Sequence, residues 1–392
     1  MTSEWNHFAL GEITELVIDY RGKTPKKLGG DWCKQGYRAL SAKNIKTGRI
    51  VQAETIRYID ESLYRKWMKD EVQRGDILIT SEAPFGQIFF WDSDEKIVLS
   101  QRLFCVRIKP EYDARFIYYY MTTPEFQSEL DGRATGTTVI GLRQPELMKC
   151  IIRCPEIQEQ KVIAAILSSI DAKIIANEKV NDNLQQQAAA LFSSLYDRSN
   201  TEVRFTDLIQ ILGGGTPKTG ENTYWNGNIA FFTPKDVGIP YTLITEKTIS
   251  KEGLSHCNSR LYPVNTVFVT ARGTVGKVGM SGVPMAMNQS CYALVGKETH
   301  QLLVYFYTLK AVDRLKHKAS GAVFDAITTR DFESEQIMKL SDDDATAFLR
   351  VAEPMFQEVL NNNIENLRLS TLRDSLLPKL MSGEIDVSAV QL

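Results

Sequence analysis

The side chains of this chain that can do directed polar chemistry are of two kinds. Gln101-Arg102, Gln289 and Arg272 carry planar groups with several polar atoms in one plane, suited to two-point hydrogen bonding with a flat partner. The turns Arg21-Gly22-Lys23-Thr24-Pro25-Lys26-Lys27 and Gly213-Gly214-Gly215-Thr216-Pro217-Lys218 gather backbone amides, hydroxyls and ammonium groups, and glycine lets such a turn approach a partner closely. That is the chemistry of holding an anion. Neither kind is a catalytic set. His7, His256, His300 and His317 are scattered, and Cys150 and Cys154 have no second pair at zinc-site spacing. The six cysteines, at 33, 105, 150, 154, 257 and 291, read as free thiols, and no metal or cofactor is expected. Gly276-Lys277 is followed by Val278 and lacks the upstream glycine of a phosphate loop. The acidic cluster running from Asp92 to Lys96 reads as a hairpin turn.

The elements that must position these groups come in duplicate. Thr24-Pro25-Lys26 recurs as Thr216-Pro217-Lys218, and Lys43-Asn44-Ile45 as Lys235-Asp236-Val237, both at an offset of 192. Ile79-Thr80 with Phe85-Gly86-Gln87 answers Val269-Thr270 with Val275-Gly276-Lys277, Gln101 answers Gln289, and Ala134-Thr135-Gly136 answers Ala319-Ser320-Gly321. The order is kept while the offset shrinks, as loop deletions would make it do, so the chain is expected to fold as two similar copies. Short apolar runs bounded by Gly, Pro and Asp, such as Ile77-Leu78-Ile79-Thr80 and Val267-Phe268-Val269-Thr270, read as strands. Ala114–Tyr120 and Gln301–Thr308 read as helices, and the fold class is α/β (α+β).

Each copy ends in a helical tail. After Pro155, seam positions fall at Ile163, Leu167, Ile170, Ile174, Asn177, Asn181, Leu184, Ala188, Leu191 and Leu195, alternating by four and three. Such a stripe needs a partner, and the second tail supplies a less regular one through Phe348, Val351, Met355, Val359, Ile364, Leu367, Leu372, Leu376 and Leu380. Ser341 before Asp342-Asp343-Asp344 caps that helix, and Pro354 is expected to start a new helix or kink this one. The two helices are expected to pair as an antiparallel coiled coil with pseudo-two-fold symmetry, spacing the globular domains, with Asn177 and Asn181 against Asn362 and Asn363 setting the register. The expected boundaries are 1–155 and 199–340 for the globular domains and 156–198 and 341–392 for the tails.

Bulk composition is that of a water-soluble chain, 43% hydrophobic and 24% charged over 392 residues. No apolar run reaches the roughly 18 residues of a membrane span, and the opening Met1-Thr2-Ser3-Glu4-Trp5 has no signal-peptide pattern, so a cytoplasmic location is expected. A net charge of −2 excludes indiscriminate polyanion binding, but it hides a division. Residues 1–155 hold 23 Lys+Arg against 21 Asp+Glu and residues 199–340 hold 15 against 12, while 341–392 hold 4 against 9, so the excess acid lies in the tail.

The residues Leu376-Leu377-Pro378-Lys379-Leu380-Met381-Ser382-Gly383-Glu384-Ile385, with Gly214-Gly215-Thr216-Pro217, closely resemble the specificity subunit of Type I restriction-modification systems. Trp225-Asn226-Gly227-Asn228-Ile229-Ala230-Phe231, Lys235-Asp236, Ala271-Arg272-Gly273-Thr274-Val275-Gly276 and Asn288-Gln289 resemble a target-recognition domain of that family, in order. The resemblance implies two target-recognition domains, each reading one half of a split sequence in double-stranded DNA. It also implies helices that dock two methyltransferase (modification) subunits, with restriction (motor-nuclease) subunits joining the complex, and a chain that is not itself an enzyme. On that reading Lys23, Thr24, Lys26, Thr216 and Lys218 are candidates for holding phosphates, and Lys43 and Lys235, with Arg133 and Lys316 or Lys318 beside the Ala-Thr/Ser-Gly loop, are candidates for some contact with DNA. Gln101, Arg102, Arg272 and Gln289 are candidates for base edges, because Arg pairs with guanine and Gln with adenine at two points. Leu184, Leu191, Leu367, Leu376 and Leu380 are the partner-docking candidates. The first copy departs from the pattern: Glu82-Ala83-Pro84 replaces the arginine-glycine turn and Arg102 stands where Ser290 does, so the two halves are expected to read different bases. The competing readings are a coiled-coil adaptor whose globular domains bind protein and a stand-alone DNA-modifying enzyme. Against the latter, the chain has no Asn-Pro-Pro-Tyr or Asp-Pro-Pro-Tyr motif.

Overall fold

Every side chain of the strand Ile77–Thr80 is buried, so both of its faces need cover. It lies antiparallel between Leu103–Ile108 and Ile88–Phe90, in a four-stranded sheet completed by Thr14–Asp19. Strand alternation sends Ile77, Ile79, Phe104 and Val106 to one face and Leu78, Leu103 and Cys105 to the other. The first face packs against the helix Ala114–Met121 and against Ile163, Ala164 and Leu167. The second packs against Trp67 and a three-stranded sheet, in which Tyr37–Leu40 runs antiparallel to Arg57–Ile59 and parallel to Ile97–Leu99.

The same plan recurs further along the chain. Val267–Thr270 sits in a five-stranded sheet ordered Ile209–Gly213, Cys291–Gly296, Val267–Thr270, Val278–Ser281, Tyr241–Thr242. Val267, Val269 and Leu294 face the helix Gln301–Lys318, while Phe268, Cys291 and Ala293 face Phe232, Met285 and Met287. Trp225–Phe232 again has one antiparallel neighbour, Lys247–Ile249, and one parallel neighbour, Met285–Met287. The expected α/β (α+β) class is therefore present in both copies.

The computed structural model describes residues 5–136, 140–238, 240–318, 326–388 and 390. The repeat landmark Ala319-Ser320-Gly321 lies outside the described residues. The chain forms two compact units, Met1–Ala172 with Leu369–Leu392, and Lys173–Arg368. The central helix Ile157–Arg198 and the C-terminal helix Asp342–Met381 each contribute to both.

All ten predicted seam positions of the central helix are buried or half-buried, as a heptad stripe against a partner requires. In the first unit its Ile163 and Leu167 meet Leu376, Leu377 and Leu380, and Arg373 donates to Asp171 at 2.8 Å. In the second unit Asn177 meets Asn366, Asn181 meets Asn362 and Asn363, and Arg198 pairs with Asp344. Numbers rise along one helix as they fall along the other, so the paired segments run antiparallel within each unit.

Three expectations are corrected. The C-terminal helix continues through Pro354, so no new helix starts there; that residue is exposed, while its neighbours Ala352 and Phe356 are buried. Of its predicted stripe Phe348, Val359 and Leu380 are buried and Met355, Ile364, Leu367 and Leu376 half-buried, whereas Val351 and Leu372 are exposed and Ala352, Phe356 and Leu360 are buried in addition. Asp92–Lys96 is a connector between two different sheets and not a hairpin turn, with Asp92 and Asp94 both paired to Arg74.

Candidate functional site

In both units the polar candidates stand on one recurring set of backbone hydrogen bonds at the edge of the main sheet. In the first, Thr80 N donates to Gln87 O, Gly86 N to Thr80 O and Ser81 N to Arg102 O. In the second, Thr270 N donates to Lys277 O, Gly276 N to Thr270 O and Ala271 N to Ser290 O. Both turns have positive φ at the same two points, 42° and 83° at Ala83 and Gly273, and 70° and 74° at Gly86 and Gly276. This makes Glu82 equivalent to Arg272 and Arg102 equivalent to Ser290.

The lysine landmark has a local cause as well. Asn44 Oδ1 accepts from Ser41 N at 3.1 Å, and Asp236 Oδ2 accepts from Thr233 N at 2.8 Å, so an Asn or Asp three residues on closes the same turn in each copy. Each turn leaves its lysine, Lys43 or Lys235, exposed. Lys235 lies 3.8 Å from Glu246, a distance at which an exposed pair is weak.

In the first unit Lys43, Gln101 and Arg102 converge on a cleft of about 200 Å³, together with Trp32 and Arg57. The Arg57 guanidinium lies 4.4 Å from the centre of the Trp32 ring. An adjoining hollow is lined by Asp19, Arg21, Glu82, Gln101 and Arg102. Arg21 is fixed there by two 2.8 Å bonds to the Asp19 carboxylate and by the Phe104 ring 4.0 Å from its guanidinium. Arg102 Nε lies 3.0 Å from Glu82 Oε1. Sequence reasoning passed over Trp32, Arg57 and Asp19; Arg21 carried a signal only as part of the turn that begins with it, and Glu82 as a carboxylate where the second copy has arginine.

In the second unit Thr216 donates its hydroxyl proton to Gln289 Oε1, which brings the threonine-proline-lysine turn to the end of the strand that begins at Cys291. Gly214 makes this possible: a Cβ there would lie 2.3 Å from Asn288 O and 2.5 Å from Met287 O. Arg272, Lys218 and Gln289 are exposed. Lys316 is exposed too, and its Cε would lie 2.6 Å from a Cβ on Gly276, so it stands against the Arg272 turn.

Other candidates are tied down within the chain. Lys23 donates to Trp67 O at 2.6 Å and lies 3.8 Å from the Tyr20 ring centre, and burial pushes its pKa below the usual lysine value. Thr24 Oγ1 accepts from Lys27 N at 3.3 Å, while Lys26 is exposed. Arg133 is held by Glu129 at 2.9 Å and faces Glu146 at 3.8 Å. Lys318 pairs with the buried carboxylate of Glu335, which Arg314 also approaches at 3.7 Å. Leu184, Leu191, Leu376 and Leu380 spend their apolar surface inside the two cores, and Leu367 is half-buried. Among the described residues there is no group of three or more His, Cys, Asp or Glu side chains placed to hold a metal, and no helix is long and apolar enough to cross a membrane.

Comparisons with known proteins bear on what such a frame is for. The Type I restriction modification DNA specificity domain family matches residues 2–186 and again 198–339. The Type I restriction enzyme HindI specificity subunit of Haemophilus influenzae is 23% identical, over 81% of this chain and 88% of that protein. The MjaIX specificity subunit of Methanocaldococcus jannaschii is 22% identical, over 80% and 78% respectively. The fold is that of a Type-I restriction-modification system S subunit from M. genitalium, with a TM-score of 0.62 at 16% identity over 96% of each chain.

Proposed function

The chain belongs to the Type I restriction-modification DNA specificity family, and on that premise we propose how its parts divide the work of a DNA sequence-recognition subunit. Residues 1–155 read one half-site and residues 199–340 the other. The helical segments 156–198 and 341–392 carry the docking surface for two methyltransferase subunits, with Leu184, Leu191, Leu376 and Leu380 supporting it from within the helix cores and Leu367 half-buried beside them, and restriction subunits join that assembly. Methyl transfer and cleavage come from these partners; the chain supplies no catalytic group and no cofactor, and it works in the cytoplasm.

The observation that carries this reading is one backbone frame, built twice, bearing different polar side chains at equivalent points. A frame that holds phosphates is expected to be similar in both halves, whereas groups that discriminate bases are free to differ, as Arg102 and Arg272 do from their counterparts. Lys26, Lys43, Lys218, Lys235 and Lys316, all exposed, contact phosphates with Thr24 and Thr216. Lys23, whose ammonium donates to a backbone carbonyl, adds positive field, while Arg133 and Lys318 contact DNA by exchanging their carboxylate partners for phosphate. Gln101, Arg102, Arg272 and Gln289 face base edges.

The test is to express the chain with its methyltransferase subunits and map methylated bases genome-wide. The expected motif is two short half-sites separated by unread bases. A contiguous motif, or methylation by the chain alone, would overturn the proposal. Binding of the assembled complex to DNA should also weaken steeply with salt; no binding at any salt would favour a protein-binding adaptor.

A further inference from the structure

The turn that presents Arg272 in the second unit presents Glu82 in the first, so the charge at one point of the shared frame is reversed. The facing strand end is changed to match. Arg102 stands opposite Glu82, Nε to Oε1 at 3.0 Å, whereas Ser290 stands opposite Arg272. Both members of the Glu82–Arg102 pair remain open, with 35% and 47% of their side chains exposed. Exposed pairs of this kind contribute little to stability, so folding does not account for the coupled change.

The geometry leaves both groups with capacity to spare. A guanidinium has five N–H donors in a planar fork, and the contact with Glu82 is made at Nε, so the donors of the two terminal nitrogens are not spent on it. A carboxylate with one oxygen so engaged still has a second oxygen able to accept. Arg102 also has φ of 65°, in the left-handed region that a residue with a side chain adopts only where its surroundings impose it. Its carbonyl is held by Ser81 N at 2.9 Å, so the side chain leaves the strand end in a set direction. Arg21, pinned by Asp19 in the same hollow, adds a fixed positive group beside it.

We propose that Glu82 and Arg102 act as one specificity-determining unit that reads a single G·C pair in the half-site of the first domain. Arg102 donates from its terminal nitrogens to O6 and N7 of guanine, and Glu82 accepts from the N4 amino group of the paired cytosine. The two groups sit side by side, as donor and acceptor edges of one base pair do in the major groove. In the second domain a single arginine, Arg272, stands at the corresponding point, so the two half-sites are told apart there by a donor-acceptor pair against a donor alone. This inference rests on the DNA-reading role proposed above.

The experiment uses the assembled methyltransferase complex. The motif found for the wild-type complex defines a cognate duplex, and single base-pair variants at every read position of both half-sites complete a binding panel. Arg102→Lys and Glu82→Gln are each expected to relax discrimination at the same G·C position by about tenfold, with the other half-site unchanged. Arg102→Lys keeps the charge and is expected to retain most of the affinity for the cognate duplex. A uniform fall across the panel would make Arg102 a backbone contact and overturn the proposal. So would discrimination left intact, or effects of the two variants at different positions. Failure of the wild-type complex to show any bipartite motif would instead sink the DNA-reading role itself.

Discussion

Asn362 donates a side-chain hydrogen bond to Asn181 Oδ1 at 2.9 Å, and Asn181 in turn donates to Asn363 Oδ1 at 2.9 Å, between two helix faces that are mostly apolar on the Leu184 side and polar again at Asn177 and Asn366. Asn181 and Asn362 are about as buried as their leucine and phenylalanine neighbours. A satisfied amide pair inside such a seam fixes which residues meet, at some cost in stability relative to leucine.

Replacing one partner should therefore be worse than replacing both. Asn181→Ala strands the Asn362 amide and is expected to lower unfolding free energy by about 1–3 kcal/mol. The double change Asn181→Leu with Asn362→Leu should recover most of that loss or exceed the parent. Denaturant unfolding of the three proteins checks this, and a double variant weaker than Asn181→Ala would refute it.

Adjacent glycines in the second unit should behave oppositely. Nothing lies within 4 Å of a Cβ placed on Gly213, whereas one on Gly214 meets two backbone carbonyl oxygens. Gly214→Ala should cost about 1–3 kcal/mol and displace the Thr216 turn, because backbone cannot rotate out of the way. Gly213→Ala should leave the melting temperature unchanged or slightly raised, since alanine loses less chain entropy in a strand.

Acid should loosen the helix pairing of the second unit. A hydrogen bond from Asn177, then Lys173, holds the Glu365 carboxyl below its ordinary pKa of 4.5, and Arg198, then Ser341, hold Asp344 below 3.8. A carboxyl whose pKa is depressed by folding stabilises the folded state above its unfolded pKa, and that contribution vanishes as pH falls through the lower folded value. The melting temperature is expected to be flat with respect to these groups above about pH 5 and to fall below it. Glu365→Gln should flatten the acid limb; an unchanged limb would remove Glu365 from the cause.

Thiol reactivity should divide two to four. Burial pushes Cys150, Cys154 and Cys291 up to about 12 and Cys105 well above its usual value, while Cys33 and Cys257 are only half-buried. A chromogenic disulfide reagent at pH 8 should titrate two thiols quickly in the folded protein and all six after unfolding. Four or more fast thiols would contradict the packing described for the two sheets.

Much of the frame was legible in the residue pattern because its causes are local. The central seam, the Ser341 cap and the lysine turns follow from periodicity and from short side chains that bond nearby backbone, as Asn44 and Asp236 do. What escaped was set by distant contacts. The parallel pairing of Arg38 with Ile97 joins segments separated by an α-helix and five strands, so the acidic stretch after Trp91 looked like a turn when it is a crossover between sheets. The site was legible in its residue types but not in its state of engagement. Lys23 and Lys318 look free in the sequence, yet one is spent on the Trp67 carbonyl and the other on Glu335, and spacing does not reveal either partner.

The first unit is discontinuous, with the second inserted between its two segments like a parenthesis. A chain emerging from a ribosome can therefore finish Lys173–Arg368 while Ile163 and Leu167 still wait for Leu376 and Leu380, which arrive last. A premature stop near residue 368 would leave the inserted unit whole and the earlier-made one uncovered. Damage at the end of the message is thus felt first at the beginning of the protein.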